Sequence, residues 1–388
     1  MPGLTSPFAG TIRFDRNEVS GAFGDLGTSL PLIVGMIAAA GLDATGVLVT
    51  FGLLQVATGL VYRMPMPVQP LKAVAAIVIA QKISGDVIAG GGLAIGLLML
   101  VLAATGALDW LGRVVPKVVV RGIQVGLAIQ LGRIAVADYI PSGGAAGYGL
   151  AAVALGVTVL LIGNRRIPPA PVVIAIGAVY AVTLGGAGSA IVGAAGLHLP
   201  PLHAPGSAAI LQGFLILSLP QIPLSLGNSV LATRQVTADL FPERPPLSLR
   251  RIGFTYAAMN IVSPWFGGIP VCHGSGGIAG HYAFGARTGG SVIVMGALML
   301  GAGLLLGGSV GELAKFFPPP MLGVLLLVES VSLFSLVRDI AGEPRDFALA
   351  GFLGLVAASL PYGYVVALVL GTLLARSGAR VSARVSAR

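Results

Sequence analysis

The sequence predicts an all-α polytopic membrane protein with about 14 transmembrane segments, arranged as two inverted seven-segment repeats with broken helices at segments 3 and 10. Three observations carry that expectation. Of 388 residues, 55% are hydrophobic and 10% charged, with a mean hydropathy of +0.93, whereas soluble domains carry about 25% charged residues. Two runs inside this apolar chain cannot be continuous helix: Met64-Pro65-Met66-Pro67-Val68-Gln69-Pro70-Leu71-Lys72, and Gly267–Gly290 with Pro270 followed by Gly274, Gly276 and Gly277. One ungapped offset of 203 relates the halves. It pairs Pro67-Val68 with Pro270-Val271 (270 − 67 = 203), Gly24-Asp25 with Gly227-Asn228, Phe51 with Phe254, Tyr62 with Trp265 and Pro116 with Pro319.

Taken in order, the first-half spans fall near 20–40, 45–62, 65–82, 87–108, 114–132, 147–163 and 168–187. The second half gives 209–233, 250–266, 268–285, 290–308, 318–336, 346–360 and 362–376. Seven segments is an odd number, so the second copy must lie inverted relative to the first. Residues 1–19 are expected as a cytoplasmic N-terminal segment, 20–206 as the first repeat with its outer connector, 207–376 as the second repeat, and 377–388 as a basic cytoplasmic tail. In each broken segment an extended stretch should lead into a helix start, where free N–H groups and the dipole favour an anion. Non-helical backbone at membrane depth is tolerated only where protein buries it or it lines a cavity.

The formal charge of +9 reports orientation rather than a nucleic-acid partner, because the basic residues sit in short loops. With both termini cytoplasmic, inner loops hold most arginines, from Arg63 and Arg113 through Arg165, Arg166, Arg250 and Arg251 to Arg345, while outer loops hold little beyond Lys82, Arg133 and Lys315. The tail arginines 376, 380, 384 and 388 recur every four residues and, if helical, share one face toward anionic lipid; a frayed soluble tail is the alternative. The first 19 residues have no apolar core and are no signal peptide. Cys272 is the sole cysteine, so no internal disulfide forms. No spacing suggests a metal site, and neither paired acids nor a nucleophile with a base points to an enzyme. No cofactor is expected. The expected setting is a multi-pass cell membrane protein (the inner membrane in a bacterium), with the lipid bilayer as partner and a homodimer as an allowed assembly.

Ionisable residues within spans are costly and mark function by default. Asp25, Lys72, Arg121 and Glu329 are the candidates. Asp25 lies about one turn into the first span, opposite its neutral repeat mate Asn228; its structural alternative is a carboxylate capping a neighbouring helix. Lys72 sits in the first turn of the first broken helix, where a cation opposes the dipole unless an anion lies between them; snorkelling to the surface is the alternative. Arg121 and Glu329 fall in spans expected away from the site, as structural ion pairs or loop contacts. His273 and Ser275 open the second broken helix where Gln69 and Pro70 stand in the first; a lone histidine can equally be a packing residue. His198 and His203 lie in the outer connector and receive no role.

Four segments, GAFGDLGTSLPLIVGM, PMPVQPLKAVAA, LGNSVLATRQVTADLF and CHGSGGIAGHYAFGARTGG, resemble, in order, the hallmark motifs of the molybdate transporter family. That family is related to the sulfate permeases and shares their fold with nucleobase–cation symporters. The resemblance implies a core domain of segments 1–4 and 8–11, a gate of segments 5–7 and 12–14, and a substrate site between segments 3 and 10 facing 1 and 8. By motif match it brings Thr28, Gln69, Lys72, Asn228, His273, Gly274, Ser275 and Gly276 to the substrate, with Asp25 as a candidate for proton coupling. Sulfate permeases usually carry a C-terminal regulatory domain, and none is expected after the last span here, which favours the molybdate branch.

Molybdate is a tetrahedral dianion with four acceptor oxygens and no donor, so its site should be built from donors. Two helix starts supply about half a charge each and Lys72 a full one. Asp25, an acceptor when ionised, is the exception, and is expected protonated when substrate is bound. The expected function is alternating-access transport of molybdate, with proton coupling as an option. A sulfate or other oxyanion permease is the alternative. A nucleobase permease fits less well, since that group uses carboxylates on segments 8 and 10, where this chain has Asn228 and a Gly/Ser/His run.

Overall fold

A computed structural model describes residues 11–164, 167, 169–360 and 362–386, without the side chains of 27, 28 and 378–386. Arg165 and Arg166 therefore lie outside the described residues. Among the described residues, seven helical runs are long and apolar enough to cross a membrane: Ala44–Tyr62, Gly85–Thr105, Lys117–Tyr139, Gly144–Leu161, Ser207–Leu240, Gly290–Phe316 and Pro319–Ile340. The remaining expected spans are shorter, and the local chemistry says why.

The first span is not one helix. Asp15 caps α1 (Arg16–Ala22) by accepting from the N–H groups of Asn17 and Glu18, and a turn at Phe23–Asp25 separates it from α2 (Leu26–Ala40). The turn, and not a helical position one turn into a span, is where Asp25 sits. Helix α1 also runs across the expected boundary at residue 19. After α3 (Ala44–Tyr62) the proline run forms β1 (Val68–Pro70), and α4 (Lys72–Gln81) follows. The chain continues through α5 (Gly85–Thr105), α6 (Ala107–Val114), α7 (Lys117–Arg133), α8 (Gly144–Leu161), α9 (Pro169–Thr183) and the connector helix α10 (Gly188–Gly193).

The eighth expected segment is continuous but unevenly wound. Helices α11 (Ser207–Gly213), α12 (Leu219–Leu224) and α13 (Ala232–Leu240) are joined by π-helical turns at Phe214–Ser218 and Ser225–Leu231. Single-turn π segments of this kind are frequent at functional sites, and Asn228 lies in the second. Helix α14 (Leu249–Val262) leads to β2 (Val271–His273) and α15 (Ser275–Ala283). Then come α16 (Gly290–Phe316), α17 (Pro319–Ser335), α18 (Pro344–Ser359) and α19 (Gly363–Ser386), the last carrying the basic tail onward as helix.

Small residues set the helix packing, as expected where lipid gives no hydrophobic drive for association. A Cβ added at Gly52 would stand 2.6 Å from the Gly296 carbonyl, and one at Gly296 2.7 Å from the Gly52 carbonyl, so α3 and α16 touch backbone to backbone. The packing is reciprocal between the halves: α3 lies on α16 and α14 on α5, while α7 lies on α18 and α17 on α8. Outward faces stay apolar, with Leu53, Val101, Val159, Leu160 and Leu305 all exposed. The protein is a multi-pass integral membrane protein. The connector histidines act as staples: His203 Nε2 meets Asp86 Oδ1 at 2.9 Å, and the His198 N–H donates to the Leu304 carbonyl at 2.8 Å.

Candidate functional site

Where the two proline breaks cross, β1 and β2 pair antiparallel with Val68 opposite His273, Gln69 opposite Cys272 and Pro70 opposite Val271. The Leu71 N–H donates to the Pro270 carbonyl at 3.0 Å. Residues 64–71 are all buried, so their backbone groups need internal partners. Two carboxamides from adjacent helices supply the rest. Gln55 of α3 donates to the Val68 carbonyl at 3.1 Å and accepts from its N–H at 3.0 Å. Asn260 of α14 donates to the Val271 carbonyl at 2.7 Å and accepts from its N–H at 2.9 Å. Sequence reading missed both. Val68 and Val271 are related by the 203 offset, but the same offset carries Gln55 onto Ala258. A lone carboxamide in an apolar span ahead of each break was the available signal.

The side chain of Gln69 turns toward the kink in the first span. Its Nε2 donates to Asp25 Oδ1, while Ser29 Oγ donates to Asp25 Oδ2 at 2.7 Å. Gly274 makes room for this: a Cβ there would stand 1.4 Å from Gln69 Oε1. At Gly277 a Cβ would meet Pro67 Cγ at 2.7 Å, Gln69 Nε2 at 2.9 Å and Asp25 Cγ at 3.0 Å. Asp25, Gln69, Gly274 and Gly277 thus form one packed knot. Asp25 makes no side-chain cap at the start of α2; its carboxylate is aimed at Gln69 and Ser29 instead.

The two helix starts are furnished differently. In α4 the Ala73 N–H is already taken, donating to Gln221 Oε1 at 3.0 Å, and Gln221 Nε2 in turn donates to Ser225 Oγ at 3.2 Å. Lys72 Nζ reaches Glu329 Oε1 of α17 at 2.5 Å, with the lysine side chain 19% exposed and the glutamate 3%. This departs from expectation on two points: Glu329 belongs beside the broken helix rather than away from it, and Lys72 already has a protein partner. In α15 the capping position is Gly274, which offers no side chain to the first turn. Ser275 Oγ donates to Asn228 Oδ1 at 3.0 Å. Gly276 is exposed, and a Cβ there would meet nothing within 4 Å.

His273 does not join Ser275 and Asn228. Its ring stands edge-on to Tyr62 with centroids 5.3 Å apart, and its Nε2 lies 2.8 Å from Thr255 Oγ1, directing the side chain to α3 and α14. Thr28 belongs to α2, but its side chain lies outside the described residues. Arg121 pairs with Asp339, which Lys117 also reaches at 2.8 Å; this is the structural ion pair expected of it. Sequence reading gave Glu18 no role. It is buried, accepting from the N–H groups of Arg287, Thr288 and Ser291 at 2.8–3.0 Å, and so caps the approach to α16.

The sequence matches the family model described as a molybdate transporter of the MFS superfamily over residues 17–131 and 213–333. The chain belongs to the molybdate transporter family. Each matched block holds one broken helix, and together they hold every candidate site residue. The chain is 32% identical over 414 residues to Molybdate transporter 2 of Arabidopsis thaliana, covering 92% of this chain and 87% of that one. To Molybdate transporter 1 of Chlamydomonas reinhardtii it is 30% identical over 446 residues, covering 86% of each.

Among solved structures, the fold is similar to the transmembrane domain of a cyanobacterium bicarbonate transporter, BicA, with a TM-score of 0.65 at 17% identity, over 90% of this chain and 98% of that one. It is also similar to the murine Slc26a9 anion transporter in the inward-facing state, with a TM-score of 0.74 at 13% identity, over 96% of this chain and 70% of that one. At these identities the likeness establishes fold alone. The MFS label in the family description implies two six-segment halves, yet the fold matched is that of these anion transporters. Family membership makes this molybdate-family chain a transporter and not an enzyme.

Proposed function

We propose that the chain is a secondary transporter of molybdate working by alternating access. The observation that carries this reading is the antiparallel crossing of two broken helices, with Lys72 opening α4 and the side-chain-free Gly274–Gly276 run opening α15; we read both as donors to one oxyanion. A tetrahedral dianion needs donors on every side, and a helix start approached without a side chain is suited to give them. In this reading fourteen segments form two inverted repeats. The reciprocal packing of α3 on α16 and α14 on α5, and the paired clasps of Gln55 and Asn260, support it. Segments 1–4 and 8–11, which include the knot and both helix starts, form the moving core; α7–α9 and α17–α19 form the gate. Both termini face the cytoplasm, as the arginine-rich loops require. Titration of purified protein with molybdate and with sulfate, read by thermal stabilisation, tests the reading. Stabilisation by molybdate at lower concentration than sulfate is expected; the reverse order favours the sulfate-permease alternative, and no response to either removes the oxyanion assignment.

Asp25 is the proposed proton carrier. Both its oxygens accept hydrogen bonds, the arrangement an ionised carboxylate makes. A dianion arriving beside it disfavours that charge, so substrate and proton binding assist each other. Affinity for molybdate should therefore rise as pH falls. Asp25→Asn, the neutral mimic, should keep binding, flatten its pH dependence and lose accumulation driven by a proton gradient. Proteoliposome uptake with and without an imposed gradient measures this; gradient-driven accumulation equal to wild type would move the proton elsewhere.

A further inference from the structure

Lys72 occupies a place where a cation is unfavourable on two counts. It is the first residue of α4, where the helix dipole presents its positive end, and it lies within a membrane-spanning assembly, where an unpaired charge is costly. A single carboxylate offsets both. Glu329 Oε1 lies 2.5 Å from Lys72 Nζ, and the glutamate is almost wholly buried. It arrives from α17, an element outside the knot, whose packing partners include α7, α8, α9 and α2. Asp25 and Cys272 are the other titratable groups within electrostatic reach of Lys72. Asp25 is engaged by Ser29 and Gln69, which leaves Glu329 as the hydrogen-bonded counter-charge of the lysine.

A carboxylate offers the ammonium group the same thing an oxyanion edge does: negative charge, acceptor oxygens and no donor. We propose that Glu329 is an internal competitor for the oxyanion, holding Lys72 while the site is empty and yielding it when substrate enters. The inference rests on the oxyanion-transport reading and deepens it by assigning an affinity-setting residue on a proposed gate helix. Two consequences follow. The affinity of the wild-type site is set below what its donors would otherwise give, because the substrate must displace an ion pair. The displaced pair also links α4 to α17 in the empty state and not in the loaded one, so occupancy is transmitted from core to gate through one contact.

The experiment is a titration of detergent-purified full-length protein with molybdate, comparing wild type, Glu329→Gln, Glu329→Asp, Lys72→Ala and the double variant Lys72→Ala/Glu329→Gln. Glu329→Gln should bind tighter by roughly tenfold, since a charged hydrogen-bond partner no longer competes. Glu329→Asp, which keeps the charge but withdraws it by one methylene, should shift affinity in the same direction by less, and it carries the test if the glutamine variant does not fold. Lys72→Ala should lose affinity, and adding Glu329→Gln to it should recover less than Glu329→Gln gains in the wild type, because only the carboxylate's repulsion of the dianion is relieved and no competition for the lysine remains. Unchanged or weaker binding in Glu329→Gln and Glu329→Asp, with wild type titrating normally, overturns the competitor role and leaves the transport reading standing. Equal gains from Glu329→Gln with and without Lys72 would also overturn it. Failure of wild type and all variants to bind molybdate or sulfate sinks the oxyanion reading and this inference together.

Discussion

The two helix starts at the centre of the molecule share a backbone plan and differ in how they are furnished. Each follows a short strand, each strand is held by one carboxamide, and each helix begins at the crossing. Yet α4 opens on a lysine tied to Glu329, with an N–H already given to Gln221, whereas α15 opens on glycine and serine with empty space beside Gly276. The likeness of the two helix starts is therefore one of main chain, and the side chains differ between them. One start supplies charge, already countered by protein; the other supplies backbone that a ligand can approach.

The symmetric part of the comparison makes the largest prediction. Removing either clasp leaves a buried N–H and a buried carbonyl without partners, at about 1–3 kcal/mol each. Asn260→Ala and Gln55→Ala should thus each destabilise the protein by about 2–6 kcal/mol, and by similar amounts. Thermal or chemical unfolding in detergent checks this. A large cost at one residue and none at the other would break the main-chain symmetry.

The asymmetric part comes next. Gly274→Ala drives a methyl into the place of Gln69 Oε1, so Gln69 must swing away and its bond to Asp25 breaks. Losing a hydrogen bond to a charged group costs about 1.5–3 kcal/mol. Two residues on, Gly276→Val meets open space. It should leave stability unchanged and weaken molybdate binding, because the branched side chain stands where an oxygen would approach. Measured together, unfolding and titration separate the two: a stability loss at Gly276 would show that the space is closed in solution.

These contrasts explain what was legible in the sequence. The breaks were, because proline and glycine exclude helix wherever they fall, and Pro67 and Pro270 announced both crossings. Motif match put Asp25, Gln69, Asn228 and Ser275 at one site without pairing them; the contacts of Asp25 with Gln69 and of Asn228 with Ser275 came from the fold. The clasps were not legible, since Gln55 and Asn260 sit at different distances from their strands, 13 and 11 residues, and no fixed offset aligns them. Glu329 was hidden for another reason: its significance depends on one side-chain contact from α17 to Lys72, 257 residues apart in the chain. His273 misled in the opposite sense. Strand geometry alternates side chains, and its position in β2 sends the ring toward Tyr62 and Thr255.

The smallest expected effect tests how far the open helix start depends on its side chain. Ser275 Oγ gives its proton to Asn228 Oδ1 at 3.0 Å, so the hydroxyl orients a neighbouring side chain. Ser275→Ala removes that bond and frees the Asn228 carboxamide to turn, while the backbone N–H groups of the first turn remain where they are. The loss of one neutral hydrogen bond is worth about 1 kcal/mol, so molybdate affinity should fall by about fivefold, less than for Gly276→Val. Titration of the two variants under the same conditions decides the order. A greater loss in Ser275→Ala would mean that the hydroxyl itself grips the substrate, and that α15, like α4, binds through a side chain and not through its backbone.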